Sequence, residues 1–141
     1  MGFQTMGVAL PWAMAARLAN PKKKIISCSG DGSFLMSVME LETAVRKKLS
    51  FVHLVWRDGT YNLVETKQIY TYGRPSGTKF GNPDIPALAK SFGAVGLRIT
   101  APDAIAKTLS YALQLKGPVI IDIPVDYRYN IGLFGKGGVF G

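Results

Sequence analysis

The chain has 141 residues, of which 48% are hydrophobic and 18% are charged, and its formal net charge is +8. This length and apolar share suit one folded domain with a full core, and they argue against intrinsic disorder. The basic residues are scattered except for two short clusters, 22–24 and 46–48, which no aromatic residues interleave, so we expect no nucleic acid as a partner. The sequence contains no run of about 18 apolar residues, the length that a membrane-spanning helix needs. We therefore expect no membrane partner either.

A single cysteine, Cys28, excludes an internal disulfide. It fits a reducing compartment, and we expect a cytoplasmic protein. Cys28 lies in a predicted strand, where a cysteine is more often a small buried side chain than a reactive thiol.

The first predicted helix runs from Met6 to Leu18 and is rich in small residues. Pro11 within it predicts either a kink or a late start. The following stretch, 23–34, combines a predicted buried strand, a Gly-Asp-Gly turn and the start of a second helix. Ser33 is a candidate cap for that helix, whose apolar pattern continues to Val45.

The Gly-Asp-Gly turn has a possible chemical use. Gly30 and Gly32 lack a Cβ, which allows a ligand to approach the backbone closely, and the first amides of the following helix favour a phosphate. Asp31 between them is a hard oxygen ligand that suits Mg²⁺ or Ca²⁺. A tight structural turn explains the same triplet, so the motif is weak evidence on its own.

A second predicted strand, 51–57, leads into Asp58. Two strands joined by one helix form a right-handed βαβ unit, which brings both strand ends to one edge of a parallel sheet. Asp31 and Asp58 are therefore predicted to emerge together at the carboxyl ends of the strands, which is where open α/β sheets bind ligands. There they could hold Mg²⁺ against a diphosphate. His53, in the same strand, is expected to be a packing residue because no Ser or Cys partner is placed for it.

The rest of the chain alternates helices and strands, which predicts an α/β fold: a three-layer α/β/α sandwich with a mostly parallel sheet. The Gly- and Pro-rich segment 71–82 is predicted to be a loop, either a mobile part of an active-site entrance or a plain connector. The remaining predicted elements are a helix from Tyr61 to Tyr70, a helix capped by Asp84 and ending at Phe92, a strand 95–99, a helix 101–115 and a buried apolar strand 118–125.

Gly30-Asp31-Gly32-Ser33 and the later Arg57-Asp58 resemble the thiamine diphosphate signature, in which Gly-Asp-Gly is followed after roughly 24 to 30 residues by Asn-Asn. The segments 6–13, 39–46 and 123–127 resemble acetolactate synthase of the catabolic, FAD-independent type. The resemblance runs from about Gly2 to Tyr127 and covers only the C-terminal domain of that enzyme. It implies a thiamine diphosphate- and Mg²⁺-binding domain at 1–127 and a Gly-rich tail at 128–141.

The resemblance also implies roles for individual residues. Mg²⁺ would be held by Asp31, Asp58 and the carbonyl of Thr60. Lys67, where catabolic enzymes usually carry glutamine, could contact the carboxylate of pyruvate or of a related 2-oxo acid. The implied cofactor-binding residues are Gln4, Thr5, Met6, Gly30, Asp31, Gly32, Ser33, Tyr61, Asn62, Leu63 and Val64.

The same resemblance implies a homo-oligomer, dimer or tetramer, with the site shared between subunits. The glutamate that activates the cofactor lies in an N-terminal domain of the family, and neither that domain nor the middle domain is present here. The chain is therefore expected to be a piece of a longer protein and inactive alone. Three alternatives stay open: another thiamine diphosphate enzyme such as a pyruvate oxidase or a 2-oxo acid decarboxylase, a non-catalytic phosphate- or nucleotide-binding module, and a structural interaction domain.

Overall fold

The computed structural model of the protein describes residues 5–128. The α-helices of this part are α1 (Ala9–Ala19), α2 (Asp31–Leu35), α3 (Glu40–Arg46), α4 (Asn62–Tyr72), α5 (Ile85–Ser91) and α6 (Ala104–Ala112). The strands are β1 (Ile26–Gly30), β2 (Phe51–Arg57), β3 (Val95–Arg98) and β4 (Pro118–Pro124). No helix in the described part of the chain is long and apolar enough to cross a membrane.

The described residues divide into two compact units. The first comprises 5–57 and 83–124 and contains every named element except α4. The second comprises 58–82 and 125–128 and contains α4 with the loop that follows it. The prediction of a Gly-rich tail concerns residues that lie almost entirely outside the described part of the chain.

The sheet of the first unit has the order β1-β2-β4-β3, and all its neighbouring strands are parallel. Its register pairs Gly30, the last residue of β1, with Trp56 near the end of β2. The predicted α/β sandwich with a mostly parallel sheet is confirmed. The chain enters Asp31 and Asp58 directly after β1 and β2, as the βαβ argument predicts.

One face of this sheet packs against α1, α2, α3 and α5. Gly96 of β3 shows how close this packing is, because a Cβ added there would lie 2.3 Å from the carbonyl oxygen of Pro86 in α5. The core on this face is apolar and includes Leu10, Phe34, Leu41, Phe51, Val55, Ile85 and Ile120.

On the opposite face α6 lies beside β3, where Leu97 and Tyr111 line a cavity of about 370 Å³. The far edge of the sheet is β1, and its side chains on this face are exposed, with Ile26 at 47%. The prediction that β1 is buried and that Cys28 is a buried thiol is therefore wrong: Cys28 is exposed because β1 is an edge strand.

The predicted continuous helix from Ser33 to Val45 is interrupted. Backbone bonds of the i to i+3 type, such as Ser37 N–H to Phe34 and Glu40 N–H to Ser37, form tight turns between α2 and α3. The prediction of a late start for the first helix is confirmed, because α1 begins at Ala9 and has Pro11 in its first turn.

Candidate functional site

Asp31 is the first residue of α2 and is 3% exposed. Its Oδ1 accepts a hydrogen bond from the backbone N–H of Gly32 at 2.8 Å. This bond fixes the carboxylate at the end of β1, and it also uses one of the amides that we expected to face a phosphate. α2 is a single short turn of five residues, so its dipole contributes less than that of a long helix.

Gly30 caps α2 with φ −70° and ψ 160°, a conformation open to any residue. A Cβ added to Gly30 would meet no atom closer than the carbonyl oxygen of Trp56, at 4.0 Å. The fold of the described residues therefore does not require glycine here, and the backbone beside Gly30 is open to a bound group.

Ser33 lies inside α2 and does not cap it, so that prediction is wrong. Its Oγ instead accepts the backbone N–H of Gly7 at 2.9 Å. Gly7 has φ +79°, and this turn directly follows Thr5 and Met6, both of which are exposed. The structure thus ties the segment predicted to meet the pyrimidine to the helix predicted to meet the diphosphate. Gln4 lies outside the described residues.

Asp58 and Thr60 form a second ordered turn. Thr60 donates its backbone N–H to Asp58 Oδ1 at 3.2 Å and its hydroxyl to Asp58 Oδ2 at 2.9 Å. Gly59 between them has φ +74°, in the left-handed region that favours glycine. The two bonds from Thr60 therefore hold the Asp58 carboxylate against the loop that follows it.

The loop after α4 is not a loose connector along its whole length. Thr60 pairs with Lys79 in an antiparallel bridge, in which Tyr61 N–H donates to Thr78 and Phe80 N–H donates to Gly59. The rings of Tyr61 and Phe80 contact each other, with centroids 4.9 Å apart. Because the carbonyls used here belong to Gly59 and Thr78, the Thr60 carbonyl takes no part in these two bonds.

A cavity of about 440 Å³ in the second unit brings together three predicted site residues, Asp58, Thr60 and Asn62. Lys79 and Arg128 also line it, as do Glu65 and Asp126, and Arg128 is paired with Asp126 at 2.6 Å. Carboxylate, hydroxyl and amide oxygens are the donors that Mg²⁺ prefers, and cations suit phosphate, so these residues fit the predicted pair of ligands. Within residues 5–128 no group of three or more His, Cys, Asp or Glu side chains is placed to hold a metal.

One face of α4 lines a separate, mainly apolar cavity of about 350 Å³, in which Leu63, Val64 and Lys67 lie together. Leu63 and Val64 are 55% and 50% exposed. Gln68 beside them accepts the backbone N–H of Ser76 at 2.6 Å, which ties α4 to the following loop. Lys67 is thus a cation on an apolar surface next to the predicted cofactor residues.

The predicted site residues fall into two groups. Thr5, Met6 and the turn from Gly30 to Ser33 belong to the first unit. Asp58, Thr60 and the segment 61–67 belong to the second. Ligation of one ion by Asp31 and Asp58 therefore stays a prediction.

Sequence reasoning missed a buried carboxylate. Asp122 lies toward the carboxyl end of the otherwise apolar β4, is 0% exposed, and pairs with Arg57 and Arg98. A single acid inside an otherwise apolar strand was the available signal, because a buried charge requires a partner.

Sequence reasoning also missed the partners of His53. Its Nδ1 lies 2.7 Å from Ser27 Oγ and its Nε2 lies 3.0 Å from Ser29 Oγ, so the expectation that no serine is placed for it is wrong. The ring stacks on Phe34, with centroids 5.5 Å apart. Burial lowers the pKa of His53 to about 4, so the ring is neutral at pH 7. The prediction of a packing histidine agrees with this environment.

Residues 1–123 match the family model for the C-terminal TPP binding domain of thiamine pyrophosphate enzymes. The chain is 55% identical over 132 residues to acetolactate synthase of Bacillus subtilis (strain 168), covering 94% of this chain and 23% of that protein. It is 48% identical over 135 residues to the catabolic acetolactate synthase of Raoultella terrigena, covering 96% of this chain and 24% of that protein. The chain thus spans about a quarter of the length of these curated relatives.

Among solved structures, the thiamine diphosphate-dependent 4-hydroxybenzoylformate decarboxylase of Rhodococcus jostii RHA1 superposes with a TM-score of 0.80 at 26% identity. The match covers 86% of this chain and 23% of that chain. The predicted resemblance, fold and organic cofactor are confirmed by these similarities. The chain belongs to the family of C-terminal thiamine pyrophosphate-binding domains of thiamine pyrophosphate enzymes.

Proposed function

We propose that this chain is the diphosphate- and Mg²⁺-binding domain of a thiamine diphosphate-dependent acetolactate synthase, which converts two pyruvate molecules to 2-acetolactate and CO2. The observation that carries the proposal is the cavity shared by Asp58, Thr60 and Asn62, in a chain that is 55% and 48% identical to two acetolactate synthases. The whole enzyme would be longer, with the activating glutamate in a preceding domain of a partner subunit.

In this proposal Mg²⁺ is held by the carboxylates of Asp31 and Asp58 and by the carbonyl of Thr60. Three observations support it: both acids follow paired parallel strands, the Asp31 carboxylate is fixed at 2.8 Å by the Gly32 amide, and the Asp58 carboxylate is fixed by Thr60. An ordered carboxylate binds a metal with less entropic cost than a mobile one.

The cofactor, when bound, supplies the carbanion chemistry that joins the two substrates, while the protein binds and orients it. Gly30 leaves room for the diphosphate beside the backbone, Gly32 follows as a buried residue of the same turn, and Ser33 holds the Gly7 turn next to it. Gln4, Thr5 and Met6 meet the pyrimidine in this assignment. Tyr61, Asn62, Leu63 and Val64 line the diphosphate and thiazolium side.

Lys67 contacts the carboxylate of pyruvate or a related 2-oxo acid in this proposal. Its exposed ammonium stands on the apolar face of α4, beside Leu63 and Val64, where a carboxylate would be attracted. Because half of the family's site comes from another subunit, we also propose a homo-oligomer, dimer or tetramer, in the cytoplasm.

A second candidate is a thiamine diphosphate-dependent 2-oxo acid decarboxylase. The observation that favours it is the structural neighbour, which carries that activity in its name and shares the fold with a TM-score of 0.80. A decarboxylase would use the same metal and diphosphate residues, so the geometry of this domain does not separate the two. The product does.

The experiment is a product assay on the full-length protein that carries this chain, with pyruvate, thiamine diphosphate and Mg²⁺. We expect 2-acetolactate and CO2 from the wild type, and neither from Asp31→Asn. The Asn variant keeps an oxygen that can accept the Gly32 amide, so it tests the charge rather than the fold. CO2 and acetaldehyde without 2-acetolactate would contradict the synthase and support the decarboxylase.

A further inference from the structure

Asp122 is a fully buried carboxylate that binds two arginines, one with each oxygen. Nε of Arg57 donates to Oδ1 at 2.7 Å, and Nε of Arg98 donates to Oδ2 at 2.6 Å. These distances are short, as expected for hydrogen bonds between charged groups. The cluster formed by Asp122, Arg57 and Arg98 lies at the carboxyl ends of β2, β3 and β4, on the face that packs against α5.

Burying a charge is unfavourable unless excellent geometry offsets it, and well-packed apolar residues would often serve stability equally well. Ile120, two residues before Asp122 on the same face of β4, is apolar and fully buried, so this face does not otherwise need an acid. A buried ion cluster toward the end of a strand is therefore better explained by what it orients than by stability alone.

The two arginines have different positions in the chain. Arg98 ends β3 and also binds Asp84, the residue that caps α5, so it links the sheet to a helix. Arg57 is the last residue of β2, its side chain is 16% exposed, and the next residue is Asp58. Fixing the Arg57 side chain therefore restrains the peptide that enters Asp58.

We propose that Asp122 is a positioning residue for Mg²⁺ binding, acting through Arg57 on the backbone that presents Asp58. The inference rests on the proposed function, in which Asp58 is a metal ligand, and deepens it by naming the residues that support this ligand. Residues that hold a metal ligand typically change metal affinity by about 10- to 100-fold when they are removed.

The test compares Arg57→Gln with Arg98→Gln in the full-length protein that carries this chain. Each variant removes one guanidinium from the same carboxylate, so both should lower the melting temperature. We expect Arg57→Gln to raise the Kd for Mg²⁺, measured by calorimetry with thiamine diphosphate present, by about tenfold or more. Arg98→Gln should leave this Kd within about twofold, because Arg98 does not precede a ligand.

Two further variants make the comparison decisive. Arg46→Gln removes an exposed arginine from its i to i+4 pair with Glu42, and it should change neither quantity. Arg57→Lys keeps a cation for Asp122 and should recover part of the Mg²⁺ affinity that is lost in Arg57→Gln. If Arg57→Gln does not fold, Arg57→Lys is compared with Arg98→Lys instead. Equal changes in Kd for the Arg57 and Arg98 variants, or no change for either, would overturn the inference.

Asp58→Ala separates this inference from the proposed function, since alanine offers no oxygen to the metal. Loss of Mg²⁺ binding in Asp58→Ala with an unchanged Kd in Arg57→Gln would refute only the positioning role. An unchanged Kd in Asp58→Ala would refute Asp58 as a ligand, and with it both the proposed metal site and the inference.

Discussion

Thr60 donates two hydrogen bonds to Asp58, from its backbone N–H at 3.2 Å and from its hydroxyl at 2.9 Å. The two bonds reach different oxygens of the carboxylate, so they set both the position and the rotation of that group. In the proposed metal site Thr60 would therefore act twice, because its side chain holds Asp58 and its carbonyl is a proposed ligand of the ion.

This relationship predicts that Thr60→Val weakens Mg²⁺ binding while leaving the fold intact. Valine matches threonine in shape but cannot donate to Asp58, so the carboxylate loses one of its two restraints. We expect the Kd for Mg²⁺ in the presence of thiamine diphosphate to rise about tenfold, as for other residues that hold a ligand. Thr60→Ser keeps the hydroxyl and should bind like the wild type; equal weakening in both variants would show that the hydroxyl is not the cause.

Gly30→Ala is expected to fold normally and to bind thiamine diphosphate poorly. Its backbone angles suit alanine and its nearest new contact would be at 4.0 Å, so the free energy of unfolding should change by less than about 1 kcal/mol. The matched control is Gly96→Ala, whose Cβ would lie 2.3 Å from the Pro86 carbonyl, and which should destabilise by about 3 kcal/mol. Urea unfolding and cofactor titration measure the two effects; normal cofactor affinity in Gly30→Ala would contradict the assignment.

Protonation of His53 is expected to destabilise the fold in mildly acidic solution. Burial lowers its pKa from 6.5 to about 4, so the unfolded chain binds the proton more readily than the folded protein. Stability is therefore complete above about pH 6.5 and is lost as the pH falls toward 4. With these two pKa values, the free energy of unfolding should drop by about 2 kcal/mol between pH 7 and pH 5.

The measurement for His53 is urea unfolding at these two pH values, with His53→Gln beside the wild type. Glutamine can still bond one serine but does not titrate. Between pH 7 and pH 5 the unfolding free energy of His53→Gln should therefore fall by about 2 kcal/mol less than that of the wild type. An equal pH dependence in both proteins would show that other groups cause the effect.

Lys67→Met is expected to act on substrate rather than on cofactor. Loss of a charged contact to a carboxylate should raise KM for pyruvate about tenfold in the full-length protein, whereas the Kd for thiamine diphosphate should stay unchanged. Lys47→Met, at an exposed lysine just after α3, serves as the control. An unchanged KM in Lys67→Met would remove Lys67 from the substrate site.

Local patterns predicted much of this fold. The bounds of β2 agree with the prediction, and Asp84 caps α5 as expected by accepting the Ala87 N–H at 3.0 Å. Both features depend on short-range chemistry, namely β-branched runs and the side-chain capping of free amides. The right-handed crossover rule then placed Asp31 and Asp58 directly after paired strands.

Features that depend on strand order could not be read from the chain. The exposure of Cys28 follows from β1 lying at the sheet edge, and the pairing of Asp122 with Arg57 and Arg98 follows from β4 lying between β2 and β3. The Ser27–His53 contact likewise needs the register of β1 against β2. Sequence spacing alone carries none of this information.

The most direct test of the account asks whether Asp31 and Asp58 hold the same ion. Calorimetry would give the stoichiometry and Kd of Mg²⁺ binding, with thiamine diphosphate present, for the wild type, Asp31→Asn, Asp58→Ala and the double variant of the full-length protein. If one ion binds both acids, the wild type should bind one Mg²⁺ per site, each single change should weaken the binding of that ion roughly 100-fold, and the double change should weaken it further. Two Mg²⁺ ions, of which each single variant loses a different one, or a single variant that binds Mg²⁺ like the wild type, would contradict the shared metal site.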